Sequence, residues 1–142
     1  MAEGDGTVYN NCKEQFFKKQ MDFVNDTFKL ILVTGHVLDI DNDAAYADVS
    51  ADECSGTGYT AGGETLTGKA VTQDNVNNRG AFDANNVTWT GLDVHVAGDP
   101  NYTILYDDTA SDILVCAWEI DTGTNGGDYT IEFHADGVLL LT

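Results

Sequence analysis

Basic residues are scarce in this chain. It carries 6 lysine and arginine residues against 24 aspartate and glutamate residues, for a formal net charge of −18. From residue 30 onward, 19 acidic residues are accompanied by only two basic ones, Lys69 and Arg79. Nucleic acids and anionic membranes are bound through lysine and arginine, which displace the counterions of phosphate groups. The composition therefore argues against nucleic acid and membrane as partners.

Long apolar runs and closely spaced cysteines are also missing. No stretch approaches the roughly 18 apolar residues of a membrane-spanning helix. The first residues, MAEGDGTVYNN, have neither the basic nor the apolar region of a signal peptide, so we expect synthesis in the cytoplasm. Cys12, Cys54 and Cys116 are far apart and form no CxxC pair. This spacing predicts buried free thiols and argues against a zinc site or an internal disulfide framework.

Motifs of several enzyme classes are absent. The chain contains no G-x-S-x-G, H-E-x-x-H or P-loop sequence. His36, His95 and His134 have no second histidine or cysteine at metal-ligand spacing, which predicts surface or strand histidines. Carboxylates are abundant, but nothing in the sequence selects two of them as a glycosidase pair. We predict no catalytic residues and no enzymatic activity, and a hydrolase is the third hypothesis for function.

Glycine is concentrated in residues 53–67, ECSGTGYTAGGETLT, where four glycines stand close together. Glycine reaches positive φ without steric cost, so a tight and irregular loop is predicted here. After it, short alternating segments, including DVHVA at residues 93–97, recur between turn-forming residues up to the C-terminus. About eight or nine strands at this spacing predict a mainly β fold, an antiparallel β-sandwich or barrel with a short N-terminal α-helix.

The N-terminal part contains the predicted helix. Residues 7–20 carry apolar side chains at helical spacing, which predicts an amphipathic helix of about three to four turns with Thr7 as its N-cap. Residues 26–34, DTFKLILVT, are apolar on both alternating faces, as is typical of a central strand. We expect a single domain, with residues 1–25 as a helical arm and residues 26–142 as a β body that carries an acidic and glycine-rich loop over residues 35–67.

The order of these segments resembles that of small structural virion proteins of tailed bacteriophages. The resemblance is carried by residues 26–34, the acidic stretch at 39–43, the glycine loop at 55–67, VTW at 87–89, TIEF at 130–133 and GVLLL at 137–141. The chain departs from the pattern at residues 36–38, where that family tends to carry aromatic residues or proline. The resemblance implies a capsid decoration or cement protein, located on the capsid surface of the virion. Its partners would be the major capsid protein and further copies of itself, in a homo-oligomer such as a trimer.

A tail or baseplate component, or an adhesin that binds a host-surface glycan, is the alternative function. The apolar side of the N-terminal helix packs either on the body or on a partner, and its lysines favour an acidic neighbour. For a decoration protein we expect contacts through this helix and the glycine loop. The predicted partner-binding residues are Val8, Cys12, Phe16 and Phe17 on the helix, and Tyr59 in the glycine loop. Tyr59 is included because flanking glycines would let an aromatic side chain project into a partner.

Asp39, Asp41 and Asp43 alternate in the stretch DIDND, as the first ligands of a calcium loop do. The EF-hand pattern fails, because the sixth position is Ala44 where glycine is required and the twelfth is Ser50 where glutamate is required. We therefore predict a solvated acidic loop. Weak calcium binding by the three aspartates is the alternative, and no other metal or cofactor is predicted.

Overall fold

The computed structural model describes residues 6–142. The strands of this part are β1 (Thr7–Val8), β2 (Phe28–Val33), β3 (Glu64–Thr65), β4 (Ala70–Asp74), β5 (Arg79–Asp83), β6 (Val87–Trp89), β7 (Tyr102–Asp107), β8 (Ile113–Glu119), β9 (Tyr129–Ile131) and β10 (Leu139–Leu141). The helices are α1 (Asn10–Phe17) and α2 (Tyr46–Val49), and α2 continues into a 3-10 turn over Ser50–Asp52. Strand makes up 34% and helix 11%, so the predicted mainly β class is confirmed.

All strand pairings are antiparallel and form three sheets. The largest has the order β1-β8-β7-β2-β3, the second has the order β10-β5-β4, and β6 pairs with β9. In the largest sheet β2 lies between β7 and β3, which confirms its predicted central position. Within residues 6–142 each sheet keeps two open edges, so these strands form no closed barrel.

The hydrophobic core covers both faces of the largest sheet. Most side chains of β2, β7 and β8 are buried. On one face the ring of Phe28 lies 5.4 Å from that of Phe82 in β5. On the other face the ring of Tyr106 stacks on that of Tyr46 at a centroid distance of 5.0 Å. Central strands apolar on both faces are therefore covered from both sides, as their sequence pattern requires.

Helix α1 is shorter than predicted and begins later. Thr7 is no N-cap; it lies in β1, opposite Ala117 of β8, and the helix starts after the extended residue Tyr9. Tyr9 is fully buried and Cys12 is 3% exposed, so the side chains of this segment are part of the hydrophobic core. Helical spacing is a local signal, and it cannot report a strand pairing with a distant part of the chain.

Two loop segments also bear on the predictions. The glycine loop is irregular as expected, and Gly56, Gly58, Gly62 and Gly63 all have positive φ. The predicted strand at residues 93–97 is a turn: Val94 is buried whereas Val96 is 90% exposed. The alternation of Val94 and Val96 is typical of a strand, but no neighbouring strand pairs along this segment.

The cysteines agree with the prediction. All three are free and buried. Burial raises the pKa of the Cys12 thiol to about 11 and those of Cys54 and Cys116 to about 12, so these thiols stay protonated at neutral pH. Among the helices that the structure describes, none is long and apolar enough to cross a membrane.

Candidate functional site

An apolar groove of about 320 Å³ lies between α1 and β10. Its lining residues are Val8, Cys12, Lys13, Phe16, Phe17, Phe23, Leu139, Leu140 and Leu141. The structure thus brings the four N-terminal residues predicted to bind a partner to one groove. Val8, however, lies in β1 and not on the helix, and Cys12 is only 3% exposed. Phe16 and Phe17 are therefore the most exposed of the four. The sequence did not predict that β10 lines this groove, because nothing in it relates the N-terminal segment to the C-terminal GVLLL stretch. The only available signal was that both segments are apolar.

A row of aromatic rings connects the groove to the core. The ring of Phe16 lies 6.0 Å from that of Phe17 and 6.4 Å from that of Phe23. Phe23 in turn stacks on Phe28 at 5.1 Å and lies 5.0 Å from Phe82. Along this row the exposed fraction falls from 85% at Phe17 through 42% at Phe16 to 0% at Phe28. A large aromatic side chain held at the surface in this way is typical of a protein interface.

Strand β10 adds aliphatic surface and an open edge. Leu140 is 37% and Leu141 is 64% exposed. β10 pairs with β5 on one side, and no strand of residues 6–142 pairs with its other side. Such an edge offers backbone N–H and C=O groups to an incoming strand.

A second hollow of about 260 Å³ adjoins the groove and shares Val8, Leu139 and Leu140 with it. Cys116 of β8 and His134 are among its other lining residues. β1 is an edge strand of the largest sheet and β10 is an edge strand of the second sheet. The two hollows therefore lie where the open edges of two sheets approach each other.

One lysine, Lys13, borders the groove on an otherwise acidic protein. Lys13 lines it, and Lys18 and Lys19 directly follow α1. Lys18 pairs with Glu14 at the exposed helix surface, and Lys13 donates to the side-chain oxygen of Asn10 at 3.1 Å. The other basic side chains bind groups of the body: Lys29 binds Asp108, Lys69 binds the carbonyl oxygen of Asp26, and Arg79 binds Asp74 and Asp136. Lys13, whose side-chain partner is the neutral amide of Asn10, is thus the basic side chain that the structure places at the groove.

The groove is a surface where apolar, aromatic and basic side chains meet. No family model, curated protein or solved structure matches the chain.

Tyr59 does not project from the glycine loop. Its hydroxyl donates to Oε1 of Glu53 at 2.7 Å and accepts from the backbone N–H of Leu32 at 3.1 Å. Its ring stacks on Trp89 at a centroid distance of 6.3 Å, and burial raises its pKa well above the ordinary tyrosine value. The expectation that Tyr59 extends into solvent is wrong. Tyr59 is also not one of the residues that line the groove. The reason is that a carboxylate and a strand N–H together bind its hydroxyl.

Glu53 is the centre of this inward-facing cluster, and the sequence did not single it out. Its carboxylate accepts from the hydroxyls of Tyr46 and Tyr59 and from the backbone N–H of Gly62 at 2.8 Å. The hydroxyl of Tyr106 donates to the carbonyl oxygen of Gly62 at 2.8 Å. Burial raises the pKa of Tyr46 to about 12, so its hydroxyl remains a donor. These bonds fasten the glycine loop to the sheet and give Glu53 a structural role.

The aspartates of the acidic stretch bind separate groups. The carboxylate of Asp39 accepts from the backbone N–H groups of Asp41 at 3.2 Å and Asn42 at 3.1 Å. Oδ1 of Asp41 accepts from the side-chain amide of Asn10 at 2.6 Å, and Asp43 lies 3.8 Å from Nε2 of His36. In the described part of the chain, no group of three or more acidic, histidine or cysteine side chains is arranged to hold a metal ion. Calcium binding stays a prediction that this arrangement does not support.

Two buried titratable side chains lie away from the groove. His36 is 6% exposed, contrary to the surface position predicted for it, and its Nδ1 lies 2.8 Å from Oδ2 of Asp52. Asp107 is 0% exposed, and burial followed by the nearby Asp26 raises its pKa to about 6. A carboxyl group with such a pKa is a candidate acid or base, but this one is closed off from any substrate.

Proposed function

We propose that the chain is a structural virion protein of a tailed bacteriophage, a capsid decoration protein that binds the major capsid protein on the outer lattice of the head. The observation that supports attachment is the groove, where Phe17 is 85% exposed and Lys13 of α1 also lines the surface. The choice of a phage head as the binding surface comes from the resemblance in segment order.

The groove suits a weak contact that is repeated many times. Burying one phenylalanine side chain contributes about 1.5–3 kcal/mol, so one groove supplies a modest affinity after the cost of association is subtracted. Copies joined in a homo-oligomer, such as a trimer, would engage several capsid subunits at once, which raises avidity by about 10²–10⁴. Stabilisation of the head would then follow from linking neighbouring capsid subunits.

The proposal includes a sandwich-like arrangement of the sheets. It is supported by side chains that meet between the largest sheet and the smaller ones: Phe28 lies 5.4 Å from Phe82, and Trp118 lies 5.8 Å from Phe133. In such an arrangement the three-stranded sheet holds β10 next to α1, and it thereby forms the groove. An experimental structure with these ring pairs apart would contradict it.

Attachment is tested by adding purified, gold-labelled protein to virions of the phage that encodes it and locating the label by electron microscopy. We expect label over the icosahedral head, and a loss of label for Phe17→Ser. The matched control is Val76→Ser, because Val76 is 88% exposed but lies in the turn between β4 and β5.

The alternative outcomes are distinct. Label confined to the tail would replace the head proposal with a tail or baseplate component, and the glycan-binding hypothesis would then be tested on a glycan array. Undiminished head label for Phe17→Ser would remove the groove as the attachment surface. The copy number in natural virions, measured by quantitative mass spectrometry, provides an independent check, because a shell protein is far more abundant than a tail protein.

A further inference from the structure

We propose that the groove receives an extended acidic segment of a partner protein, which adds as a strand to the open edge of β10 and places alternate apolar side chains in the groove. This inference specifies the partner of the attachment surface, and it rests on the proposed function. The evidence is the position of the groove along β10, the adjoining hollow and the distribution of charge.

The groove follows the edge of β10. In the pairing with β5, Leu139 lies opposite Phe82 and Leu141 lies opposite Gly80. Successive side chains of a strand point to opposite faces, so Leu139 and Leu141 share one face and Leu140 occupies the other. All three nevertheless line the groove. A single groove can contact side chains from both faces of a strand only if the groove runs along the edge of that strand. The unpaired backbone groups of β10 lie at that edge.

The adjoining hollow favours an extended occupant. The groove of about 320 Å³ and the hollow of about 260 Å³ share Val8, Leu139 and Leu140 as a common wall. On an added strand, side chains of the same face are about 7 Å apart. Neighbouring side chains of that face can therefore enter neighbouring hollows while the backbone pairs with β10. In recognition by strand addition, main-chain hydrogen bonds provide affinity and pockets for the side chains provide specificity.

The charge distribution favours an acidic occupant. Lys13 lines the groove, and Asp136 of the adjoining hollow is paired with Arg79, whereas the chain as a whole has a net charge of −18. Attraction to Lys13 is effective over about one Debye length, roughly 10 Å at 0.1 M salt. An acidic segment is thus attracted only when it lies in the groove. A basic segment would bind the acidic body in preference to the groove.

The same charges disfavour a second copy of this chain as the occupant. Two copies that paired through β10 about a two-fold axis would bring the same lysines near each other and would also bring together two bodies of net charge −18. Like charges in such an interface are repulsive. A segment of different sequence, apolar on one face and acidic on the other, avoids both costs.

The test is fluorescence anisotropy of the full chain with synthetic peptides. The probe is a labelled peptide of sequence Glu-Val-Glu-Leu-Glu-Val-Glu. A peptide with glutamine in place of every glutamate tests the charge, and the acidic peptide with alternate backbone amides methylated tests strand pairing. We expect each change to weaken binding by about tenfold or more, because each removes the charge attraction or the backbone hydrogen bonds.

Variants of the chain locate the binding site. Phe17→Ser should weaken binding of the acidic peptide by about tenfold, whereas the equally exposed control Val76→Ser should leave it unchanged. Lys13→Gln combined with Lys19→Gln should weaken binding at low salt and reduce its dependence on salt. Circular dichroism verifies that each variant is folded.

The outcomes separate this inference from the proposed function. Equal binding of the acidic peptide and the glutamine peptide, or undiminished binding of the methylated peptide, would overturn the inference, and so would a lack of binding by the acidic peptide. If Phe17→Ser still loses attachment to virions in any of these cases, the decoration proposal stands with a different occupant. Self-association of the native chain that Phe17→Ser abolishes, measured by sedimentation equilibrium, would make a second copy the occupant and overturn the inference.

Discussion

Asp107 makes stability depend on pH at the scale of a single residue. Its side chain is 0% exposed, and burial followed by Asp26 raises its pKa from 3.8 to about 6. The native state therefore holds the proton more tightly than the unfolded state does. The stabilising contribution of the protonated form is complete below about pH 4 and is lost as the pH rises through about 6. On this basis the free energy of unfolding should fall by about 1–3 kcal/mol across that window.

Replacing Asp107 by asparagine should remove this dependence. The amide oxygen can still accept from the backbone N–H groups of Thr109 and Ala110, which bond to Oδ1 of Asp107 at 3.0 Å. No charge then has to be buried at neutral pH, so Asp107→Asn should raise the free energy of unfolding there by about 1–3 kcal/mol. Urea unfolding between about pH 4 and pH 7 measures this, with Asp108→Asn as the control. A variant less stable than the native chain at neutral pH would contradict the assignment.

At the scale of elements, the glycine loop is fitted closely to the central strand. Gly63 has a φ of 77°, and a Cβ there would collide with the carbonyl oxygen of Leu30 in β2. Gly63→Ala should therefore lower the free energy of unfolding by about 2 kcal/mol or more, because both the backbone conformation and the steric fit are lost.

Gly80→Ala in β5 is the matched control for Gly63→Ala. A Cβ on Gly80 would meet no heavy atom within 4 Å, so this substitution should change stability by less than about 1 kcal/mol. Thermal or urea unfolding of both variants provides the comparison. Equal effects at the two positions would show that the close approach to Leu30 is not what requires glycine.

The segment of β1 and α1 is also part of the fold at this scale. Thr7 and Val8 pair with β8, and Tyr9 is fully buried. Losing one buried aromatic side chain costs about 3–5 kcal/mol, which is comparable with the whole stability of many domains. Deleting residues 1–20 should therefore unfold or severely destabilise the chain, as measured by circular dichroism and near-ultraviolet spectra. A truncated chain with native spectra would contradict this and would show that the β body folds without residues 1–20.

At the scale of the whole molecule, the net charge and the apolar groove have opposite effects on self-association. A net charge of −18 opposes association of copies through the groove at neutral pH, whereas the sequence pI of about 4.1 marks the pH at which this repulsion vanishes. Light scattering should therefore show self-association near that pH, driven by the exposed side chains of the groove. Phe17→Ser should reduce the association more than Val76→Ser does. Equal scattering by the two variants would mean that the groove is not the associating surface.

Local patterns in the sequence determined the class of the protein. Alternation of apolar residues predicted the antiparallel β fold, and the apolar residues on both faces of residues 26–34 predicted a central strand, because burial of a strand face requires apolar side chains at every second position. The irregular glycine loop and the buried cysteines followed from conformational and chemical properties of single residue types.

Only the tertiary structure decided where distant segments meet. It paired Thr7 with Ala117, turned Tyr59 inward to the backbone N–H of Leu32, and joined Phe17 to the leucines of β10 in one groove. These contacts depend on strand order and on hydrogen bonds between residues far apart in the chain, and they leave no periodic signal near either partner. The sequence therefore predicted that Phe16 and Phe17 belong to an N-terminal helix, while the groove that they line with β10 and its open strand edge arose only from folding.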